Sequence, residues 1–154
     1  MLKQWLWLSI AVVVLDQCTK WFAEAFLVAH KPVSILPSFN LALTYNSGAA
    51  FGIFADAGGW QRWFFLGMAV TISIVLVLWI LRLKPEEKRL AIALSLVLGG
   101  AIGNMVDRAL FGQVIDFIQL YYDRWYWPTF NIADSAITIG AMLLILDSFY
   151  AGKT

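Results

Sequence analysis

The stretch from Gly103 to Asp134 holds the residues whose types and spacing could do chemistry. It carries four of the ten acidic residues, in a chain that is 61% hydrophobic and only 14% charged. Two carboxylates held close together cannot both ionise cheaply, so one keeps a proton while the other stays charged. Such a pair can take a proton from water and give one to a leaving amine. We therefore predict carboxylate acid–base chemistry here.

Asp116 and Asp134 fit this role because of where they lie relative to the four transmembrane helices predicted below. Asp116 follows the third helix and Asp134 lies at the start of the fourth, so each is expected where a loop meets the membrane. We interpret them as a pair with aspartic-protease chemistry. A simpler reading makes Asp134 only the N-cap of the fourth helix, since carboxylates favour that position. Asp107 next to Arg108 is more simply explained as a structural ion pair.

Few other kinds of site are open to this chain. His30 is the single histidine and Cys18 the single cysteine, which argues against a Ser/His/Asp triad, a multi-histidine metal site and an intramolecular disulfide. A net charge of +1 gives no sign of a nucleic-acid partner. Catalysis must therefore use carboxylates, amides, hydroxyls, lysine or arginine.

The elements that must position these residues are those of an integral membrane protein. Mean hydropathy is +0.75, and eight Trp and eleven Phe make the chain too apolar for a soluble globule. We expect a single membrane domain over residues 1–154. Long apolar runs predict four transmembrane helices, at about residues 4–25, 62–81, 90–111 and 134–150.

A small β element at the membrane surface is predicted at about residues 33–58, where no run is long enough to span. Residues 40–45 alternate as a short strand does. Asn46-Ser47-Gly48 follows as a turn, and the Asn46 amide could instead face a substrate backbone.

The first helix must continue through Asp16 and Lys20 to reach spanning length. These residues are four apart, so they share a helix face and can pair. A charged pair in a spanning segment usually faces the protein interior. A competing interpretation is a cleavable secretory signal with its site at Ala23-Glu24-Ala25, after which the mature chain would start at Phe26.

Four crossings bring the polar residues to one side of the membrane. Four basic residues crowd the turn at 82–89, so the positive-inside rule predicts that this turn and both termini are cytoplasmic. The opposite, outer boundary then holds a polar site formed by Asp16, Lys20, Asn46, Asn104, Asp107, Arg108, Asp116, Asn131 and Asp134. Small residues at Gly99, Gly100 and Gly103 predict close helix contact.

Five short motifs run along nearly the whole chain. They are Asp16-Gln17-x-x-Lys20, Asn46-x-Gly48-x-Ala50-Phe51, Gly103-Asn104-x-x-Asp107-Arg108, Val114-x-Asp116-Phe117 and Phe130-Asn131-x-Ala133-Asp134. In this order and at these positions they resemble the motifs of the lipoprotein signal peptidases, the bacterial signal peptidase II family.

The resemblance implies an aspartic endopeptidase of the bacterial inner membrane, with the catalytic pair on Asp116 and Asp134. Such hydrolases cut the signal peptide from a diacylglyceryl-modified prolipoprotein immediately before the lipidated cysteine. They need no metal or cofactor and are the target of the cyclic peptide globomycin. The implied fold is an all-α polytopic membrane protein: four transmembrane helices, a small periplasmic β cradle and a short surface helix.

The resemblance also implies roles for the other polar residues. Those expected to hold the substrate are Asn46, Gly48, Asn104, Arg108 and Asn131. Those expected to support the site are Asp16, Lys20, Asp107 and Ala133. The implied partners are the lipid-modified prolipoprotein, membrane lipids and a globomycin-type inhibitor, with no nucleic acid, and we expect a monomer.

Two other classes of protein compete with this interpretation. A small proton-coupled membrane transporter would use the same acids as a relay, but a relay needs carboxylates at mid-depth and on both sides. A non-catalytic membrane scaffold accounts for the hydrophobicity and leaves the polar cluster without a reason.

Overall fold

The computed structural model of the protein describes residues 3–48 and 58–151, and this part of the chain forms four helices and four strands. The helices are α1 (Lys3–Phe26), α2 (Trp60–Arg82), α3 (Lys88–Phe111) and α4 (Ile132–Ala151). The strands are β1 (Val33–Leu36), β2 (Phe39–Asn46), β3 (Val114–Tyr122) and β4 (Trp125–Tyr126). Ala50 and Phe51 of the second motif, and the end of the expected β segment, lie outside the described residues. The expected surface helix is not among the described helices.

All four helices are long and apolar enough to cross a membrane, as the sequence predicts. The most apolar of them is α2, with a hydropathy of 2.7, and most of its side chains remain exposed on its outer faces. Exposed apolar side chains at this density suit a helix surrounded by lipid. The protein is therefore a multi-pass membrane protein.

The central helix of the bundle is α3, which packs against the other three. Its glycines make this possible: a Cβ added to Gly99 would lie 2.7 Å from the Cβ of Val12 on α1. On the other side, a Cβ on Gly140 of α4 would lie 2.7 Å from Val97 Cγ2. Leucine and isoleucine side chains fill the contact between α2 and α3. The predicted small-residue face of the third helix is confirmed.

The strands form one antiparallel sheet in the order β1-β2-β3-β4. The central pair aligns Thr44 with Asp116 and Asn46 with Val114. Leu43, Ile115 and Phe117 pack with Ala23 near the end of α1, so the sheet covers one end of the bundle.

The four helices with a small β element are as expected, but the sheet is larger than the sequence predicted, because β3 and β4 join it. Residues 114–122, interpreted above as a loop meeting the membrane, form the longest strand. It starts immediately after α3 because Gly112, with φ of 76°, ends the helix in a left-handed conformation that favours glycine.

Candidate active site

Lys20 is the centre of a buried ionic cluster between α1 and α3. Its Nζ lies 2.7 Å from Asp16 Oδ2 and 2.7 Å from Asp107 Oδ2, and all three residues are buried. The pairing of Asp16 with Lys20 follows from their spacing of one helical turn. The predicted ion pair between Asp107 and Arg108 is wrong, because adjacent helical residues point in different directions and Asp107 faces Lys20 instead.

Hydrogen bonds from four elements hold this cluster in place. Asp16 Oδ1 accepts the Ala133 N–H at 2.8 Å, which connects α1 to α4. Asp107 accepts the Gln17 side-chain amide at 2.8 Å and the Ile115 N–H at 3.1 Å, which connects α3 to α1 and β3. Gln17 was not assigned a role from the sequence, although it belongs to the first motif. Buried charges with this many partners fix the elements relative to one another.

Asn104 connects the ionic cluster to Asp134. Its Oδ1 accepts hydrogen bonds from Lys20 Nζ and from Asn131 Nδ2, each at 3.1 Å. Its Nδ2 donates to Asp134 Oδ1 at 2.7 Å. One amide therefore bridges a buried ammonium and a candidate catalytic carboxylate.

Asn131 is the N-cap of α4 and also the bridge between the two aspartates. Its Oδ1 accepts the Asp134 N–H at 2.8 Å, and its own N–H donates to Asp134 Oδ2 at 3.3 Å, which is a capping box. The alternative reading of Asp134 as the N-cap is wrong, since α4 begins at Ile132 and Asp134 is its third residue. The Asn131 Nδ2 lies 2.8 Å from Asp116 Oδ1 and 3.1 Å from the Ile115 carbonyl.

Asp116 lies on β3 and is only 3% exposed. Burial, and secondly the charge of Asp134, raise the pKa of its carboxyl to about 7, against the lowering effect of Lys20 and of hydrogen bonds from Asn131 and Asn46. Asp116 therefore keeps a proton close to neutral pH while a second carboxyl lies nearby. This is the electrostatic arrangement expected of a carboxyl pair that shares one proton.

The turn after β2 is tied to the same site. Asn46 Oδ1 accepts the Gly48 N–H at 3.0 Å, and the Asn46 side chain also bonds Asp116. Arg108 donates from one terminal nitrogen to the Gly48 carbonyl at 2.9 Å, and its guanidinium lies 5.2 Å from the Phe65 ring centre. Asn46 therefore both closes a turn and reaches the site, so its two interpretations are compatible.

A cleft of about 1000 Å³ opens above these groups. Its polar floor is formed by five of the predicted site residues, namely Asn46, Asn104, Arg108, Asp116 and Asp134. Its wall is aromatic and apolar, with side chains that the sequence did not assign to the site, including Tyr121, Tyr122, Trp125, Tyr126 and Trp127. The floor offers acid–base groups and the wall an apolar surface.

The other predicted site residues lie behind the floor and do not line the cleft. Asn131 and Ala133 are fully buried at the start of α4, and Gly48 contacts Arg108 through its backbone. Asp16, Lys20 and Asp107 form the buried cluster described above. Within the described residues, the aromatic wall is the part of the cleft that motif reasoning missed, and its signal was the run of aromatic residues from Tyr121 to Trp127.

The chain is similar to known proteins along nearly its whole length. The family profile described as Signal peptidase (SPase) II matches residues 8–150. The lipoprotein signal peptidase of Pseudomonas paraeruginosa is 51% identical over 97% of this chain and 90% of its own length. That of Acinetobacter baumannii is 50% identical, again over 97% of this chain, and over 85% of its own length.

Two solved bacterial membrane enzymes, both determined by the in meso method, have similar structures. One superposes with a TM-score of 0.86 at 32% identity, covering 96% of this chain and 88% of that one. The other gives a TM-score of 0.79 at 33% identity, covering 94% and 92% respectively.

Proposed function

We propose that this chain, which belongs to the signal peptidase II family, is an aspartic endopeptidase that cleaves prolipoprotein signal peptides with Asp116 and Asp134. The family supports a membrane protease that acts on prolipoproteins. The aspartic mechanism is supported by one observation above all: two carboxylates on different elements line one cleft and are bridged by Asn131.

Hydrolysis by this pair needs one proton between the two carboxyl groups. In the first step the ionised carboxylate takes a proton from water, the resulting hydroxide bonds to the scissile carbonyl carbon, and the protonated carboxyl gives its proton to the carbonyl oxygen. In the second step the first carboxyl protonates the leaving amine, and the second takes a proton from one hydroxyl of the intermediate. The C–N bond breaks, and both groups return to their starting state.

The polar floor supplies groups that can hold the peptide for this reaction. Arg108 lines the cleft, so its guanidinium can donate to a substrate carbonyl, and its buried Nε has no hydrogen-bond partner among the described residues. Asn46 and Asn104 line the same floor beside the aspartates. Gly48 and Asn131 act indirectly in this account, since they hold Arg108 and the aspartates in position.

The apolar wall supports a lipid-bearing substrate. The wall runs from the aromatic residues of the sheet to Ile137 and Ile139 on α4, and Ile139 is exposed on the outer face of that helix. Acyl chains could therefore reach the cleft from the bilayer while the scissile bond lies on the floor. We propose cleavage immediately before the lipidated cysteine, and we propose that a globomycin-type cyclic peptide inhibits by occupying this cleft.

Charge and topology support a site on the outer side of the bacterial inner membrane. The basic turn between α2 and α3 lies at the end of the bundle opposite the sheet. By the positive-inside rule this turn and both termini are cytoplasmic, and the cleft is periplasmic. The enzyme acts as a monomer in this account, since one chain supplies both carboxylates.

The test is cleavage of a purified diacylglyceryl-modified prolipoprotein, compared with the same precursor carrying serine in place of the lipidated cysteine. We expect the lipidated form to be cut and mass spectrometry to find the modified cysteine at the new N-terminus. A cut at another position, or no cut at all, rejects the proposal. In the latter case, pH-driven uptake by proteoliposomes would favour the proton-coupled transporter.

A further inference from the structure

We infer that Lys20 is a positioning residue: through Asn104 it holds Asp134 as the charged member of the pair and leaves the resting proton on Asp116. The inference deepens the proposed function and rests on it. It assigns a chemical role to a buried cation that does not line the cleft, and it gives the two aspartates different tasks.

The first step is the orientation of the Asn104 amide. An ammonium group can only donate hydrogen bonds, so the Asn104 atom 3.1 Å from Lys20 Nζ must be the amide oxygen. The Asn131 Nδ2 lies 3.1 Å from the same oxygen and agrees with this assignment. The Asn104 NH₂ group must then face Asp134 Oδ1, 2.7 Å away.

The orientation of Asn131 is fixed independently. Its Oδ1 faces the Asp134 backbone N–H, which can only donate, and its Nδ2 faces the Ile115 carbonyl, which can only accept. The two amides around the aspartates therefore have one consistent arrangement. Neither can turn its oxygen toward a carboxyl group without losing these partners.

Both carboxylate oxygens of Asp134 therefore accept a hydrogen bond. Oδ1 accepts from the Asn104 amide and Oδ2 from the Asn131 backbone N–H, and neither donor can accept a proton in return. Asp134 is also the third residue of α4, where the helix dipole favours negative charge. Its negative charge is therefore stabilised twice, by directed hydrogen bonds and by the helix end.

Asp116 also accepts hydrogen bonds from the side chains of Asn131 and Asn46, but it lacks the helix end and is more deeply buried. It lies in the middle of the sheet, with Thr44 opposite and 3% of its surface exposed. Burial disfavours its charged form, and a second negative charge beside Asp134 would add repulsion. The single proton of the resting pair therefore belongs on Asp116.

The charged groups around the pair act in both directions, since the charge of Lys20 lowers the pKa of the Asp116 carboxyl. Arg108 interacts with both carboxylates, and with Asp134 most strongly. Lys20 is neutralised at 2.7 Å by two carboxylates, so its directional bond to Asn104 matters more than its long-range field. The charged and titratable side chains that face the pair come from α1, α3 and the cleft wall, and they are Asp16, Lys20, Asp107, Arg108, Tyr121, Tyr122 and Tyr126. Two others on the neighbouring elements have partners of their own. Arg62 on α2 donates to the carbonyls of Arg108 and Ala109, and Tyr45 on β2 donates to Glu24.

Each aspartate then has a fixed task. Asp134 takes the proton of the attacking water and later gives it to the leaving amine. Asp116 gives its proton to the scissile carbonyl oxygen and recovers one when the C–N bond breaks. The enzyme finishes each turnover with the proton back on Asp116, so no external acid or base is consumed.

The experiment is the pH dependence of kcat/KM for cleavage of the lipidated prolipoprotein by the full chain and two variants. Asn104→Leu removes the donor to Asp134. The double variant Lys20→Met with Asp16→Asn removes the anchor of Asn104 while conserving net charge, and the asparagine amide oxygen introduced at position 16 can still accept the Ala133 N–H. We expect the acid limb of the profile to move up by about one pH unit in both, the effect of one hydrogen bond to a charged group.

Two further variants separate this role from general effects. Combining all three substitutions should move the acid limb no further, because both changes break the same chain of contacts. Asp16→Asn alone alters the charge but keeps the bond between Lys20 and Asn104, so its acid limb should stay or move down. The double variant should lose kcat with KM nearly unchanged, since Lys20 and Asp16 do not line the cleft.

An acid limb that stays in place in Asn104→Leu overturns the inference, even if activity falls at every pH, because a merely structural role lowers the whole profile equally. An upward shift in Asp16→Asn alone also overturns it. If this double variant does not fold, Lys20→Met with Asp107→Asn takes its place, because it also removes the anchor of Asn104 and conserves net charge. Failure of the proposed function has a different signature: either the wild-type chain does not cleave, or it cleaves and Asp116→Asn does too.

Discussion

Asn131 and Asp134 cap the start of α4 reciprocally, each accepting the backbone N–H of the other through its side chain. The same Asn131 amide contacts Asp116 on β3 at 2.8 Å. One fully buried asparagine therefore fixes the start of a transmembrane helix and the separation of two carboxylates. Helix capping and the geometry of the proposed catalytic pair depend on the same side chain.

Substitutions of Asn131 should separate these two roles. Serine is a good N-cap and alanine is not, so Asn131→Ser should be more stable than Asn131→Ala by about 1 kcal/mol. Neither residue reaches Asp116, so both variants should lose cleavage activity to the same large extent. Denaturation in detergent and prolipoprotein cleavage measure the two effects. Substantial activity in the serine variant alone would mean that capping, and not the contact with Asp116, is what catalysis needs.

Asp116→Asn should alter how stability depends on pH. The pKa of the Asp116 carboxyl is about 7 in the folded protein and near 3.8 when unfolded, so the folded state holds the extra proton between these values. The stability contributed by this group is full below about pH 4 and is lost as the pH rises through about 7. Asparagine cannot titrate, so the variant should lose less stability than the wild type over this range.

Thermal melts of both proteins at a series of pH values test this prediction. The difference between the two melting temperatures should grow steadily in favour of Asp116→Asn from about pH 4 to pH 7 and level off above. Because Asp116 and Asp134 are electrostatically coupled, the difference reports the titration of this pair, and every other titratable group is shared. Parallel melting curves would contradict the protonated state assigned to this carboxyl.

Gly103→Ala should damage the ionic cluster. A Cβ at this position would lie 2.7 Å from Asp16 Oδ2 and 3.2 Å from the Ala133 Cβ, so α1 or α4 would have to move. We expect a loss of about 1–3 kcal/mol in stability and a fall in activity. Gly67→Ala on α2 is the matched control, because nothing lies within 4 Å of its added Cβ and alanine is the better helix former. Equal effects of the two substitutions would show that the contact at Gly103 is not tight.

The proposed orientation predicts opposite labelling of two exposed positions. Cys18 is the only cysteine, so Cys18→Ser gives a background without thiols. On this background Arg124→Cys, in the turn of the sheet, should react with an impermeant maleimide added to intact spheroplasts. Glu86→Cys, in the basic turn, should react only after permeabilisation. The reverse pattern would move the cleft to the cytoplasmic side.

The sequence predicted the helices and the ionic pair well because both depend on local periodicity. Four apolar runs of spanning length are visible without any tertiary information, and Asp16 and Lys20 are one turn apart on the same helix. The partner of Asp107 could not be found in this way. It is Lys20, which lies far earlier in the chain, and only the packing of α1 on α3 brings the two together.

The sheet and the aromatic wall were harder to predict. β3 is rich in β-branched and aromatic residues, which favour strands, but its partner β2 is far away in sequence and β3 starts directly after a helix. The N-cap alternative for Asp134 was open because the sequence alone does not show which of Asn131 and Asp134, both with capping side chains, precedes the first residue of α4. In both cases the outcome depends on contacts between distant segments, which spacing alone does not contain.

The most direct measurement of the central claim is single-turnover cleavage of the lipidated prolipoprotein by the wild type, Asp116→Asn and Asp134→Asn, each checked for folding by thermal melt. Asparagine keeps the shape of aspartate but cannot exchange a proton in this role. We expect the wild type to cleave and both folded variants to be slower by at least about a thousandfold, the scale of losing an acid–base group. Near-wild-type cleavage by either variant would contradict the assignment of Asp116 and Asp134 as the catalytic pair.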